Sequence, residues 1–172
     1  RPIYRRNGGK PYLQMSGAQW LEYPVGAMNF ANLSAHILAQ NYVSRTVIFS
    51  APQALGSHPS PYYRWCLYHN YGTEFYNRIN GAVITYNVAD IKTTPKHLGL
   101  DTVAGSFYTN NVSVGTFTPQ AITYPNSVPV RIGANGAGGE VATMDFYGSL
   151  IVNRGLTAPE RSATSAWLLG LA

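Results

Sequence analysis

Apolar and polar residues alternate in short runs along most of this chain, which is the period of a strand with one buried face. The clearest run is Thr143 to Val152. Met144, Phe146, Gly148, Leu150 and Val152 fall on one side of it, and Thr143, Asp145, Tyr147, Ser149 and Ile151 on the other. Leu33 to Asn41 repeats the pattern with Leu33, Ala35, Ile37 and Ala39 on its apolar side. Ala, Leu and Gln would also suit a helix there, but His36 and Asn41 are mediocre helix formers and the following run is β-branched. The same reading predicts strands over Arg45–Ser50, Tyr62–His69, Glu74–Ile79, Ala82–Val88, Ser106–Thr109 and Val128–Ile132. Between them lie Asn7-Gly8-Gly9, Asn70-Tyr71-Gly72, Asn80-Gly81, Asn110-Asn111 and the glycine-rich stretch from Gly133 to Gly139, residues that tolerate the positive φ of tight turns. Many short strands joined this way predict an all-β sandwich, jelly roll or barrel. One segment departs from the pattern. Thr157-Ala158-Pro159-Glu160 carries a capping box, and Ala163, Ala166, Trp167 and Gly170 follow at helical spacings, predicting a short closing helix over Ala158–Leu169.

A length of 172 residues with no linker, repeat or change of composition predicts one domain over residues 1–172. The chain starts at Arg1 without an initiator Met, which suggests a piece excised from a longer protein. Only 11% of its residues are charged, against about 25% in a typical globular domain. Asn, Ser, Thr, Gln, Gly and 13 tyrosines make up the polar surface instead. That mixture excludes a disordered tail and a coiled coil. No apolar run approaches the roughly 18 residues of a membrane span, so no membrane insertion is expected. The single cysteine, Cys66, excludes an internal disulfide and a cysteine-built zinc site. The net charge of +5 is concentrated at one end. Arg1, Arg5, Arg6 and Lys10 supply four of the twelve bases, and the remaining residues hold eight bases against seven acids. A nucleic-acid groove needs basic residues distributed along a face and interleaved with aromatics. A solvated leading segment, with no nucleic-acid partner, accounts better for this distribution.

Both ends of the chain carry recognisable motifs. The opening RPIYRRNGGKPYLQMSGAQWLEY places an Asn-Gly-x-Pro-like turn at Asn7 to Pro11, a second turn at Met15-Ser16-Gly17 and large apolar residues at Trp20-Leu21. The middle FYTNNVSVGT has a hairpin in which Asn111 stands for the usual glycine. The end, VPVRIGANGAGG followed by MDFYGSLIVNRGLTAPERSATSAWL, combines an Ile-Gly strand, a Phe-x-Gly-x-Leu strand and an Asn-Arg-x-Leu-Thr-x-x-Glu-Arg helix start. Together these resemble laminin G-like domains of the concanavalin A-like lectin/glucanase superfamily. Ser16 departs from the pattern, standing where family members often carry Asp. The resemblance implies a jelly-roll sandwich of two antiparallel sheets, with Phe146, Gly148 and Leu150 on its inner face and the Glu160 helix closing a sheet edge. It carries no catalytic residue. Modules of this kind sit on bacteriophage tail fibres, tailspikes and bacterial surface proteins. By analogy the chain would be a receptor- or glycan-recognising tip of a virion appendage, a homotrimer in its parent protein.

The residues themselves argue against several chemistries. Retaining glycosidases need two carboxyls about 5–5.5 Å apart. The seven acids, Glu22, Glu74, Asp90, Asp101, Glu140, Asp145 and Glu160, include no pair at alternate strand positions. There is no G-x-S-x-G elbow, and His36, His58, His69 and His97 are scattered without metal spacing. A polysaccharide lyase, using Tyr or His as base, stays open as an alternative, as does a purely structural trimerising cap. No cofactor is expected. Asp90 and Asp101, in oxygen-rich loop or strand-end settings, are where the resemblance would put a calcium ion. Sugar recognition uses aromatic faces for stacking and amides, arginine and hydroxyls for directional hydrogen bonds. The densest such group spans an expected hairpin: Tyr68, His69, Asn70, Tyr71, Tyr76 and Arg78 form the candidate ligand-binding set. Trp65 and Leu67 alternate with them and are expected in the core.

Overall fold

A computed structural model of the chain describes residues 2–17, 19–23, 32–51, 65–69, 74–79, 82–118, 130–134 and 141–172. The strands, in order, are β1 (Ile3–Asn7), β2 (Lys10–Met15), β3 (Leu21–Tyr23), β4 (Ser34–Asn41), β5 (Thr46–Ala51), β6 (Trp65–His69), β7 (Glu74–Ile79), β8 (Ala82–Asn87), β9 (Lys96–Asp101), β10 (Ser106–Thr109), β11 (Val112–Thr116), β12 (Val130–Ile132) and β13 (Met144–Val152), followed by helix α1 (Ala158–Leu169). They build a seven-stranded sheet in the order β1-β2-β13-β4-β9-β10-β11 and a six-stranded sheet in the order β3-β12-β5-β6-β7-β8, with every ladder antiparallel. This is the expected jelly-roll sandwich with one short C-terminal helix. Turn chemistry explains much of its register. Asn110 and Asn111 both take positive φ (48° and 67°) between β10 and β11, which a two-residue hairpin with the native twist demands.

Ile37, Leu98, Phe107, Met15 and Met144 of the larger sheet meet Ile48, Phe49 and Ile132 of the smaller one, each at most 2% exposed. On β4 the predicted side holds: Leu33, Ala35, Ile37 and Ala39 face this core. On β13 it holds only for the first half. Met144 and Phe146 are core residues, but the ladder to β4 shifts between Phe146 and Gly148. The one extra residue at Tyr147 reverses the faces downstream, because side chains alternate with period two. Ile151 therefore packs against the core and Ser149 bonds the Tyr23 hydroxyl (2.8 Å), while Gly148 turns outward. The expectation of Gly148 and Leu150 on the inner face is thereby corrected.

Helix α1 forms where the capping box predicted it. The Thr157 hydroxyl accepts from the Glu160 amide, the Glu160 carboxylate accepts from the Thr157 amide, and Arg154 grips the same carboxylate through both terminal nitrogens (2.7 and 2.9 Å). The helix does not close a sheet edge. It lies on the outer face of the larger sheet, over the central strands β4, β13 and β9. Outward Gly148 gives it room, since a Cβ there would stand 2.8 Å from Leu171 Cδ1. With a sheet on one side and a helix on the other, β4 is buried along nearly its whole length. Its outer residues Ser34 and His36 look like solvent-facing positions in the sequence but are interior ones.

Candidate functional site

The hairpin set is only partly brought into view. The β6–β7 register pairs Tyr68 with Tyr76, His69 with Phe75 and Cys66 with Arg78. The side chains of Tyr68, Tyr76 and Arg78, and all of Asn70 and Tyr71, lie outside what the structure describes, as does the Trp65 side chain. Leu67 is buried, as expected. His69 takes an interior place: it is 0% exposed, and its Nδ1 lies 2.7 Å from Asn41 Nδ2, which also donates to Thr46 Oγ1 (3.0 Å) and the Val43 carbonyl (2.7 Å). Alternation places His69 on the same side as Leu67, so it ties the two sheets together instead of facing a surface ligand. This corrects its place in the ligand-binding set.

A different group of tyrosines is assembled on the outer face of the larger sheet. Directly paired residues of antiparallel strands point to the same side. The pairs Ile3–Gln14, Gln14–Asp145 and Asp145–Gln40 form one file across β1, β2, β13 and β4, and Arg5–Tyr12 forms the next. The bulge at Tyr147 sets that residue beside this second file, its ring 5.4 Å from the ring of Tyr12. Tyr42, just beyond the end of β4, leans over and donates its hydroxyl to Asp145 Oδ2 at 2.5 Å. Asp145 is buried, and its Oδ1 has no partner among the described residues. Burial, and then the hydrogen bond to Asp145, push the Tyr42 phenol well above its ordinary value, and burial next to Asp145 and Tyr12 raises Tyr147 too. Both phenols stay protonated at neutral pH. A protonated phenol can donate or accept a hydrogen bond but is a poor general base. Tyr42 is 39% exposed and Tyr12 and Tyr147 half-buried, so together they form an open aromatic shelf beside the last turn of α1.

The covered part of the same face holds a second polar group. His36 Nδ1 and His97 Nε2 are 2.9 Å apart, their rings stacked at 5.1 Å, and His97 Nδ1 is 2.8 Å from Ser165 Oγ on α1. The order serine–histidine–histidine imitates a nucleophile and its base, yet all three are buried and His36 Nε2 has no partner among the described residues. Burial draws the two imidazoles down to about 4 and about 3, so both are neutral and structural at pH 7. Asp101, a calcium candidate, is also 0% exposed. Its carboxylate accepts from Ser34 Oγ and the amides of Val103, Ala104 and Leu156, which leaves little for a cation. Asp90, the other calcium candidate, is exposed at positive φ (58°), its carbonyl taking the amides of Thr93 and Thr94. On the smaller sheet, Glu22 is shared between Arg131 Nε (2.9 Å) and Trp20 Nε1 (3.0 Å), and the Arg131 guanidinium lies over the Trp20 ring.

The shelf was not legible as a motif, because Tyr12, Tyr42 and Tyr147 belong to three separate segments. Its one local trace is Asp145 and Tyr147 two apart on a predicted strand.

Neither a family model nor a curated protein matches this sequence. Solved structures do match its fold. A sialidase from Trypanosoma rangeli, in complex with the inhibitor DANA, superposes with a TM-score of 0.70 at 14% identity over 94% of this chain, which spans only 28% of the sialidase. Domain 4 of AbnA, a GH43 extracellular arabinanase from Geobacillus stearothermophilus, in complex with arabinotriose, gives 0.68 at 15% identity over 96% of this chain and 81% of that one. The heptameric SAP-like pentraxin of Limulus polyphemus gives 0.54 at 15% identity over 78% and 70%. At these identities the likeness is one of fold. The chain is a two-sheet β-sandwich similar to domains of glycosidases and of a pentraxin.

Proposed function

We propose that this chain is a non-catalytic carbohydrate-recognition module that binds saccharide on the Tyr12–Tyr42–Tyr147 shelf. The observation that carries the reading is the pair of tilted rings, Tyr12 and Tyr147, held open on a sheet face beside a phenol anchored by a buried carboxylate. Such rings offer flat apolar faces for pyranose C–H groups, and Gln14 and the phenols supply hydrogen bonds at the rim. The sandwich it shares with an arabinanase domain solved with arabinotriose supports the same ligand class. Four of the five acids whose side chains are described support the non-catalytic part: Glu22, Asp101, Asp145 and Glu160 are each engaged in a structural contact, and the fifth, Asp90, lies exposed in a turn.

The finer setting we put forward is the receptor- or glycan-recognising tip of a bacteriophage tail fibre or similar appendage, trimeric in the intact parent protein. A parent protein that sediments as a monomer would refute the trimer. For the module itself, the test is incubation with cell-surface glycans while following both binding and product. Binding without new reducing ends or unsaturated uronates is expected. Product would make it an enzyme, and no binding would leave a structural cap. Tyr147→Ala should weaken binding by about 1–3 kcal/mol, the range of exposed aromatic anchors. The Tyr68–Arg78 hairpin is the second surface to probe, and loss of binding in Tyr71→Ala instead of Tyr147→Ala would move the site there.

A further inference from the structure

The basic opening segment has so far no role, and the fold gives it a position. Arg5, Arg6 and Lys10 all lie on the β1–β2 hairpin, which is the free edge of the larger sheet next to β13. No acid precedes Glu22. Lys10 Nζ donates to the carbonyl of Ala172 (2.6 Å), and Arg6, whose Nε donates to the Tyr4 hydroxyl (3.1 Å), alternates onto the face opposite the shelf. Arg5 differs. It is the direct cross-strand partner of Tyr12, so it rises from the same face as the shelf. Its Nε donates to Gln14 Oε1 (3.3 Å), which steadies the guanidinium, and its two terminal nitrogens have no partner among the described residues. The acid beside the shelf, Asp145, makes no ion pair with it: β2 separates β1 from β13, Arg5 belongs to the neighbouring file, and the Asp145 carboxylate is buried under Tyr42.

We propose that the saccharide bound on the shelf is anionic, with its carboxylate, sulfate or phosphate gripped by the Arg5 fork while a sugar ring lies against Tyr12 and Tyr147. The inference rests on the carbohydrate reading above and adds the ligand's charge. A guanidinium with both terminal nitrogens free presents two parallel donors, which match two oxygens of one anionic group, and such bonds are about twice as strong as neutral ones. A neutral sugar would leave that fork in water and use only the rings and the amide of Gln14. Exposed charge also makes the grip sensitive to salt, because the screening length falls to about 10 Å at 0.1 M.

The experiment is calorimetric titration of the whole chain with size-matched oligosaccharides: a neutral glucan, an oligogalacturonate, a sulfated glucan and a phosphorylated mannan, each at low and high salt. At least one anionic series should bind about tenfold more tightly than the neutral one, and that advantage should shrink at high salt. Which series wins identifies the anionic group. Arg5→Gln should abolish the advantage and leave neutral binding in place, Arg5→Lys should keep part of it, and Tyr147→Ala should weaken both classes. Arg5 sits on an exposed edge strand, so unchanged melting temperatures are expected to show that its variants fold. If the neutral glucan binds as well as the anionic ones and Arg5→Gln changes nothing, the charge assignment is overturned and the carbohydrate reading stands. If no saccharide binds in any series, both fall. A single-stranded oligonucleotide that displaces the anionic sugars with higher affinity would overturn the proposal in favour of nucleic acid.

Discussion

The outer face of the seven-stranded sheet carries two polar groups that solve opposite problems. Under α1, His36, His97, Ser165, Ser34 and Asp101 are sealed between helix and strands, and almost every polar atom is spent on a neighbour. Beyond the last turn of the helix, Tyr12, Tyr42, Tyr147, Gln14 and Arg5 sit on the same sheet with rings and donors still facing water. Both regions are made of residues that read alike in the sequence. What separates them is the cover. Where the helix lies, a polar side chain must be paired within the protein, because an unmet buried group costs about 1–3 kcal/mol. Where it does not, unmet capacity can be offered to a ligand. Changes under the helix should therefore act on stability, and changes on the shelf should act on binding.

The largest effect expected is acid loss of the covered region. In the fold, His36 and His97 lie at about 4 and about 3, against 6.5 when exposed. Burial is the main cause for both. For His36 nearby Asp101 partly offsets it while Arg161 adds to it, and for His97 the His36 ring adds to it. A histidine whose folded value is depressed leaves the unfolded chain binding more protons, so stability is full above pH 6.5 and falls as pH drops toward the folded values. With both rings contributing, the slope approaches two protons, about 2.7 kcal/mol per pH unit. Urea denaturation between neutral pH and about pH 4.5 should show this slope. His36→Gln, although less stable at neutral pH, should roughly halve it. A flat profile in the unmodified chain would mean that the pair is hydrated in solution.

Asp101→Ala comes next. It strips four donors, two of them deep in the fold at Ser34 and Leu156, and should cost about 2–4 kcal/mol in denaturant titration. Gly99→Ala follows, for a steric reason: its Cβ would stand 2.7 Å from His36 Nδ1, inside contact distance. The imidazole cannot retreat under the helix, so a loss of about 1–3 kcal/mol is expected, as for other overpacked cores. An unchanged melting temperature in Gly99→Ala would show that the covered region is loosely packed and would erase the contrast with the shelf.

How far the sequence exposes this contrast depends on where the information lies. Glu74–Ile79, Ser106–Thr109 and the helix Ala158–Leu169 are local: turn residues and a capping box mark their ends, and the structure reproduces those limits. Lys96–Asp101 escaped because Gly99 and polar residues interrupt its alternation and partner strands hold it in place, while Val112–Thr116 is marked only as the second arm of the FYTNNVSVGT hairpin. The reversal at Tyr147 escaped as well. Thr143–Val152 alternates without a break, and the bulge exists only relative to β4. The shelf depends on that bulge and on pairings between distant segments, so its tyrosines stayed anonymous among 13. The hairpin at Tyr68–Arg78 stood out because its residues are adjacent in sequence, a property that does not by itself make a surface.

The smallest effect expected on stability, and the sharpest test of the contrast, is Tyr42→Phe. The substitution keeps the ring over Asp145 and removes only the hydroxyl that donates to Oδ2. Under the helix an equivalent loss would strand a buried group. Asp145 is buried too, but the vacated position lies beside Tyr42, 39% exposed, where water can enter, so the cost should fall at the low end of about 1–3 kcal/mol. The consequence for alkaline pH follows from the direction of the shift. The Tyr42 phenol is raised above its unfolded value of 10, so its contribution is complete below pH 10 and fades as pH climbs toward the folded value. Ultraviolet titration of the phenolates should therefore lose one late-titrating proton in the variant, while the acid profile of His36 and His97 stays as it was. Saccharide affinity should fall by more than stability does, because the freed Asp145 carboxylate no longer fixes the rim of the shelf. If stability drops severely and binding does not change, Tyr42 belongs with the covered group, and the boundary between structure and site lies farther from the helix than its last turn.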